Sequence, residues 1–184
     1  LRLKKKEKAI ELLKTYLKKQ PKNWRLNFRL GDIYFANKEF AKAKKHYLIA
    51  KQSKPKDVSL IKRLASVSLL TNNLKEAISL YLEAAKLDPN DETVVSNLAN
   101  LYLALKKPDK AVAAAKKALN ISPSAQNYTT LGQAYELKKD YNNALIAYER
   151  AITLGSKSLK PKALKELKEK VKSLRELAKN KKRV

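Results

Sequence analysis

Residues 73–90, "NLKEAISLYLEAAKLDPN", hold Ala77, Tyr81, Ala84 and Pro89 in an otherwise helix-forming stretch. Stepping back 34 residues meets Ala43, Tyr47, Ala50 and Pro55. Stepping forward 34 meets Ala111, Ala115, Ala118 and Pro123. A further step, of 33, meets Ala144, Tyr148 and Ala151, with Ser156 in the proline slot. Upstream of each run the same frame holds Leu30-Gly31 with Tyr34, Leu64-Ala65 with Ser68, Leu98-Ala99 with Tyr102, and Leu131-Gly132 with Tyr135. A fixed period of this length indicates stacked helix pairs rather than one globular core.

The pattern resembles the tetratricopeptide repeat (TPR). The family's small residue at the eighth slot matches Gly31, Ala65, Ala99 and Gly132, and its alanine at the twentieth matches Ala43, Ala77, Ala111 and Ala144. The resemblance covers residues 1–158. It implies an all-α, right-handed α-solenoid of helix-turn-helix TPR repeats with a C-terminal capping helix. It also implies a partner bound in a groove.

The period sets the expected division of the chain. Residues 1–23 are the second helix of a truncated preceding repeat, because Ala9 and Pro21 sit 34 before Ala43 and Pro55. Four repeats follow at 24–57, 58–91, 92–124 and 125–158. Residues 159–184 form a solvating helix and a basic tail from Asn180. On the first helix Ala9, Ile10, Leu13, Tyr16 and Leu17 share one face, which leaves an apolar edge. On the last, Leu164, Leu167, Val171, Leu174 and Ala178 form a stripe that covers the fourth repeat. Gly31 costs about 1 kcal/mol of helix propensity against alanine, which close approach of a neighbouring helix offsets. Ser68 and Ala115 stand where other repeats have tyrosine, so underpacking or tighter helix approach is expected at both.

Composition narrows the chemistry. With no Cys there is no disulfide framework, Cys-based zinc site or thiol nucleophile. The single histidine, His46, reads as a surface or boundary residue, since metal sites and acid–base dyads need partners. Gly31, Gly132 and Gly155 are too far apart for a phosphate loop. No carboxylate pair is isolated on an apolar face. The chain therefore reads as non-enzymatic, with no cofactor and no metal. It has no Met and starts at Leu1, so a fragment of a longer protein is expected, a soluble domain whose compartment the sequence leaves open, with the cytoplasm slightly favoured and a signal or membrane anchor on the missing N-terminal part as the alternative. No run of 18 apolar residues reads as a membrane span.

The net charge of +25 is uneven: +13 over residues 1–57, +3 over 58–125, +1 over 126–158 and +8 over 159–184. The resemblance implies that the first helix of each repeat lines the groove. The candidate lining residues are Arg25, Phe28, Arg29, Asp32 and Phe35 in the first repeat, and Ser59, Lys62, Arg63, Ser66 and Leu69 in the second. The third offers Thr93, Ser96, Asn97, Asn100 and Leu103; the fourth offers Gln126, Thr129, Thr130, Gln133 and Glu136. Arg25, Arg29, Lys62 and Arg63 read as a cationic patch suited to carboxylates. Phe28 and Phe35, seven apart, read as walls of an apolar pocket. Asn97 and Asn100 read as partners for a peptide backbone.

One subfamily holds acidic chaperone tails with a five-residue carboxylate clamp. Lys62 and Asn97 match it, whereas Ser66, Gln126 and Thr130 replace its Asn, Lys and Arg, which argues against that ligand. The expected partner is another protein, through an acidic or C-terminal peptide segment. Two alternatives stand beside it: electrostatic binding to nucleic acid or an anionic membrane surface, and homo-oligomerisation through the N-terminal half-repeat.

Overall fold

The structure, a computed structural model, describes residues 2–156 and 159–181, with side chains for 6–156 and 159–177. The described residues form helices and no strand: α1 (Arg2–Lys19), α2 (Trp24–Ala36), α3 (Phe40–Ser53), α4 (Val58–Leu70), α5 (Leu74–Leu87), α6 (Glu92–Ala104), α7 (Pro108–Ile121), α8 (Ala125–Leu137), α9 (Tyr141–Gly155) and α10 (Pro161–Lys181). The fold is all-α, an α-solenoid of helix-turn-helix pairs with α10 as a C-terminal capping helix. The chain divides into two compact units, residues 1–89 and 90–184.

Local chemistry punctuates the pairs in register. Asn23, Asp57, Asp91 and Ser124 each accept a hydrogen bond from the backbone N–H three residues on, and so cap α2, α4, α6 and α8. Within each pair the turn passes through a left-handed residue: Lys38, Asn72, Lys106 and Lys139, at φ of 62°, 59°, 52° and 63°. The next N–H then closes back on the helix, as Glu39 N does on the Tyr34 carbonyl at 2.9 Å and Lys107 N on that of Tyr102 at 2.8 Å. No glycine marks these positions, so the sequence carries little sign of them.

In the first unit, α2 packs on α3 and α4 on α5. Leu30, Tyr34, Ala43, Tyr47, Ala50, Leu60, Leu64 and Val67 form the core, with Ile10, Leu13 and Leu17 of α1 packed against it. A Cβ at Gly31 would stand 2.6 Å from Cε1 of Tyr47, so glycine is what lets the ring lie flat on α2. Tyr16 departs from the expected single face and is 53% exposed, as is Leu12 at 58%. Its slot in a complete repeat holds an alanine such as Ala50, buried in the core its own pair forms. No such first helix faces α1 among the described residues.

Ser68 is fully buried and hydrogen-bonded. Its hydroxyl lies 3.0 Å from the Leu64 carbonyl and donates to Glu76 Oε2 at 2.8 Å. The same carboxylate oxygen meets Lys44 Nζ at 2.6 Å and Asn73 Nδ2 at 3.0 Å. A hydroxyl in the tyrosine slot thus joins a half-exposed ion pair, and Lys44 holds the Glu76 carboxyl below its usual range. His46 also gains a role the sequence did not show. Asn27, 1% exposed, donates from Nδ2 to the carbonyls of Pro21 and Asn23 at 2.9 and 3.0 Å. Its Oδ1 therefore faces His46 Nδ1 at 2.9 Å, and that nitrogen carries the hydrogen. His46 also stacks on Tyr34 at 5.6 Å.

In the second unit, α6 packs on α7 and α8 on α9, with α7 against α8. Gly132 repeats the glycine–tyrosine contact, its Cβ position lying 2.6 Å from Cε1 of Tyr148. Ala115 is buried with Ala99, Leu131 and Ala147, so small residues close the space a tyrosine fills elsewhere. Leu167, Val171 and Leu174 of α10 are buried against Ala144, Tyr148 and Ala151, and Leu164 is half-buried. The side chain of Ala178 and residues 182–184 of the basic tail lie outside the described residues.

Candidate functional site

On α2, the 3.6-residue period sends Asn27, Leu30, Gly31 and Tyr34 into the core. Arg25, Phe28, Arg29, Asp32 and Phe35 are left at the edge of that stripe. Arg25, Phe28, Arg29 and Asp32 come together with Trp24 around a cavity of ≈ 410 Å³. The half-buried Phe28 tilts against Tyr47, ring centroids 5.8 Å apart. The Arg25 guanidinium lies 5.0 Å over the Trp24 ring, and Lys54 approaches the same ring at 5.6 Å. Arg29 is exposed.

The four expected cations do not act alike. Arg63 reaches from α4 to Asp32, Nε to Oδ1 at 3.0 Å, and its guanidinium lies 5.8 Å from the Phe35 ring. The Tyr47 hydroxyl donates to the same Asp32 oxygen at 2.7 Å. Burial, and then this bond to a carboxylate, push the Tyr47 hydroxyl well above its ordinary pKa, so it stays a donor. Arg63 is thus ion-paired with Asp32 through Nε while its side chain stays exposed at the cationic face. Lys62 is half-buried, and its carbonyl accepts from Ser66 Oγ at 2.9 Å. The Ser66 hydroxyl also lies 3.4 Å from that of Tyr81. Phe35 does not share the cavity with Phe28; it packs edge-on against Phe40 at 5.8 Å.

The second unit differs from the expectation in two ways. Thr130 is 3% exposed and its Oγ1 lies 3.3 Å from Asn100 Oδ1 and 3.1 Å from the Gln126 carbonyl, so it is not free to meet a partner. Ser96 is likewise occupied, 2.9 Å from both Glu92 Oε1 and Asn127 Oδ1. Gln126, Thr129 and Gln133 line a cleft of ≈ 210 Å³ with Tyr148, Leu167 and Lys170, because α10 lies along it. Asn97 is half-buried and Asn100 exposed. Glu136 accepts from the Tyr148 hydroxyl at 2.9 Å and meets Lys170 Nζ at 3.1 Å.

Trp24 and the Tyr47 hydroxyl are the parts of the first-unit site that sequence reasoning passed over. A signal existed in the spacing. Asp32–Arg63, Ser96–Asn127 and Asn100–Thr130 pair first helices of successive repeats at separations of about one period less three or four. Among the described residues no group of three His, Cys, Asp or Glu side chains is placed to hold a metal. None of their helices is long and apolar enough to cross a membrane.

The sequence profile described as tetratricopeptide repeat matches residues 3–67 and 69–134, and a second profile of that description matches 125–155. No curated protein matches the chain in sequence. Among solved structures, a MamA protein is 22% identical, with 87% of this chain and 91% of that one covered and a TM-score of 0.79. A tetratricopeptide repeat protein from Parabacteroides merdae ATCC 43184 is 18% identical, covering 90% and 65%, at 0.78. YrrB, described as a TPR protein with an unusual peptide-binding site, is 18% identical, covering 85% and 81%, at 0.77. At these identities the likeness is one of fold.

Proposed function

The chain belongs to the tetratricopeptide repeat family, and from that premise we propose that it is a non-enzymatic scaffold that binds a segment of acidic character from another protein on the α2–α4 face of its first unit. Proteins of this family generally act as interaction scaffolds. The observation that carries the finer reading is the cavity of Trp24, Arg25, Phe28, Arg29 and Asp32. It combines an aromatic wall for an apolar side chain with two cations for carboxylates beside it. The peptide-binding site named for YrrB is consistent with this use of the fold. Lys62, Ser66 and Phe35 border the face. Asn97, Asn100 and Gln133 lie in the second unit and are proposed as a separate set of backbone-pairing groups there.

Selection of random peptides displayed on phage against the full chain tests the proposal. Enriched sequences should carry Asp or Glu around an apolar residue, and should be lost on the Arg25→Glu/Arg29→Glu variant. Enrichment without acidic residues, or recovery unchanged by the double variant, refutes it. If only polyanions bind, and log affinity falls steeply with log salt, the net charge of +25 is the functional feature and the polyanion alternative replaces it. Self-association is a second reading, favoured by exposed Leu12 and Tyr16 on α1. Light scattering that stays monomeric at high concentration removes it.

A further inference from the structure

We propose that Asp32 is a positioning residue: it holds Arg63 in place for an incoming carboxylate, so that an acid inside a cationic face strengthens the binding of an acidic segment. The inference rests on the reading above and specifies how one part of that site works.

Oδ1 of Asp32 accepts both the Tyr47 hydroxyl, at 2.7 Å, and Arg63 Nε, at 3.0 Å. A guanidinium engaged through Nε keeps donors on its two terminal nitrogens, the edge suited to parallel hydrogen bonds with a carboxylate. Arg63 is exposed, and the Phe35 ring lies 5.8 Å from its guanidinium. An arginine without such a partner loses rotamer freedom when it binds, which weakens the complex. Here the ordering is done beforehand. Tyr47 is wholly buried and cannot move without disturbing the core, Tyr47 orients Asp32, and Asp32 orients Arg63.

The same three-part chain occurs independently in the second unit. There the Tyr148 hydroxyl donates to Glu136 Oε2 at 2.9 Å, and that oxygen meets Lys170 at 3.1 Å. The carboxylate comes from another position along the helix: Asp32 directly follows Gly31, whereas Glu136 lies four residues beyond Gly132. Two different placements reaching one arrangement point to the arrangement itself, a buried tyrosine that fixes a cation through a carboxylate.

Simple charge counting predicts the opposite effect, because removing the negative charge of Asp32 should tighten binding of any acidic ligand. The probe is the fluorescein-labelled hexapeptide Leu-Glu-Leu-Glu-Leu-Glu, followed by anisotropy at low salt on the full chain. Versions with free and amidated C-termini separate terminal from side-chain carboxylates. Asp32→Ala and Tyr47→Phe should each weaken binding about three- to tenfold, the range expected when one long side chain must be ordered anew. Asp32→Asn, which keeps Oδ1, should recover part of the loss. In parallel, the NMR signal of the Arg63 Nε–H should be resolved in the wild-type chain and merge with the other arginines in Asp32→Ala. Tighter or unchanged peptide binding by Asp32→Ala, with Arg63→Ala still weakened, overturns the inference. So does an Arg63 Nε signal that is identical with and without Asp32. A peptide that fails to bind the wild-type chain refutes the acidic-segment reading instead, and the NMR comparison then decides the positioning role alone.

Discussion

Adding one methyl group at Gly31 tests the packing rule that runs through the chain. The new Cβ would sit 2.6 Å from Cε1 and 2.7 Å from Cδ1 of Tyr47, against about 3.4 Å for an ordinary contact, so the ring must withdraw by about 0.8 Å. Phe28 packs against that ring, and the Tyr47 hydroxyl donates to Asp32. Alanine contributes about 1 kcal/mol of helix propensity. Overpacking costs about 1–3 kcal/mol, and loosening the hydroxyl bond costs about 1 kcal/mol more. The net loss is about 1–3 kcal/mol, or about 2–12 °C in Tm for a chain of this size.

In a Tyr47→Leu background, with the leucine that α1 carries at the matching slot as Leu13, the ring is gone. There Gly31→Ala should become neutral or stabilise by up to about 1 kcal/mol. The four proteins of the cycle, unfolded in urea and followed by far-ultraviolet circular dichroism, should give a coupling of about 1–4 kcal/mol. The chain holds a natural relative of the doubly altered pair, since Ala99 and Ala115 sit in one buried cluster. It also holds Ala65 with Tyr81, where the hydroxyl has only the looser 3.4 Å contact to Ser66. A Gly31→Ala effect of the same sign and size with tyrosine or leucine at 47 would refute the reasoning.

Three further outcomes are expected. His46 has its pKa lowered, first by burial and then by Lys45 and Lys14, with Asn27 and Tyr34 as its direct contacts. The unfolded chain therefore takes up the proton first, and stability should fall as pH drops below about 6.5 until the folded-state pKa is passed, a slope that His46→Gln removes. Lys106→Gly relieves a left-handed φ of 52° at the cost of a more flexible unfolded chain, a net gain of about 0.5 kcal/mol, whereas Lys106→Val should lose more than about 1 kcal/mol. Equilibrium denaturation checks both signs. Leu174→Ala, on the buried face of α10, should cost about 2–4 kcal/mol in the same assay if α10 is an integral cover of α9.

The periodic core was legible in the sequence because its rules are local. Each small or aromatic slot answers to a partner 16 residues away in the same helix pair, as Gly31 does to Tyr47 and Gly132 to Tyr148. A repeated backbone frame places such pairs alike each time. The buried stripe of α10, Leu167, Val171 and Leu174, was readable for the same reason. Turn geometry was not, since Lys38, Lys106 and Lys139 adopt the left-handed form without glycine, held by the helix-closing hydrogen bonds around them.

Polar side chains were decided only in three dimensions. The sequence placed Arg63, Thr130 and Gln133 on the groove-lining side of first helices. Tertiary packing then bound Arg63 to Asp32, buried Thr130 beside Asn100, and laid α10 along Gln133. The repeat sets where a Cα stands, but a hydrogen bond depends on which atom of the neighbouring helix comes within about 3 Å of a flexible side chain. That neighbour lies some 30 residues away in sequence and differs from one repeat to the next.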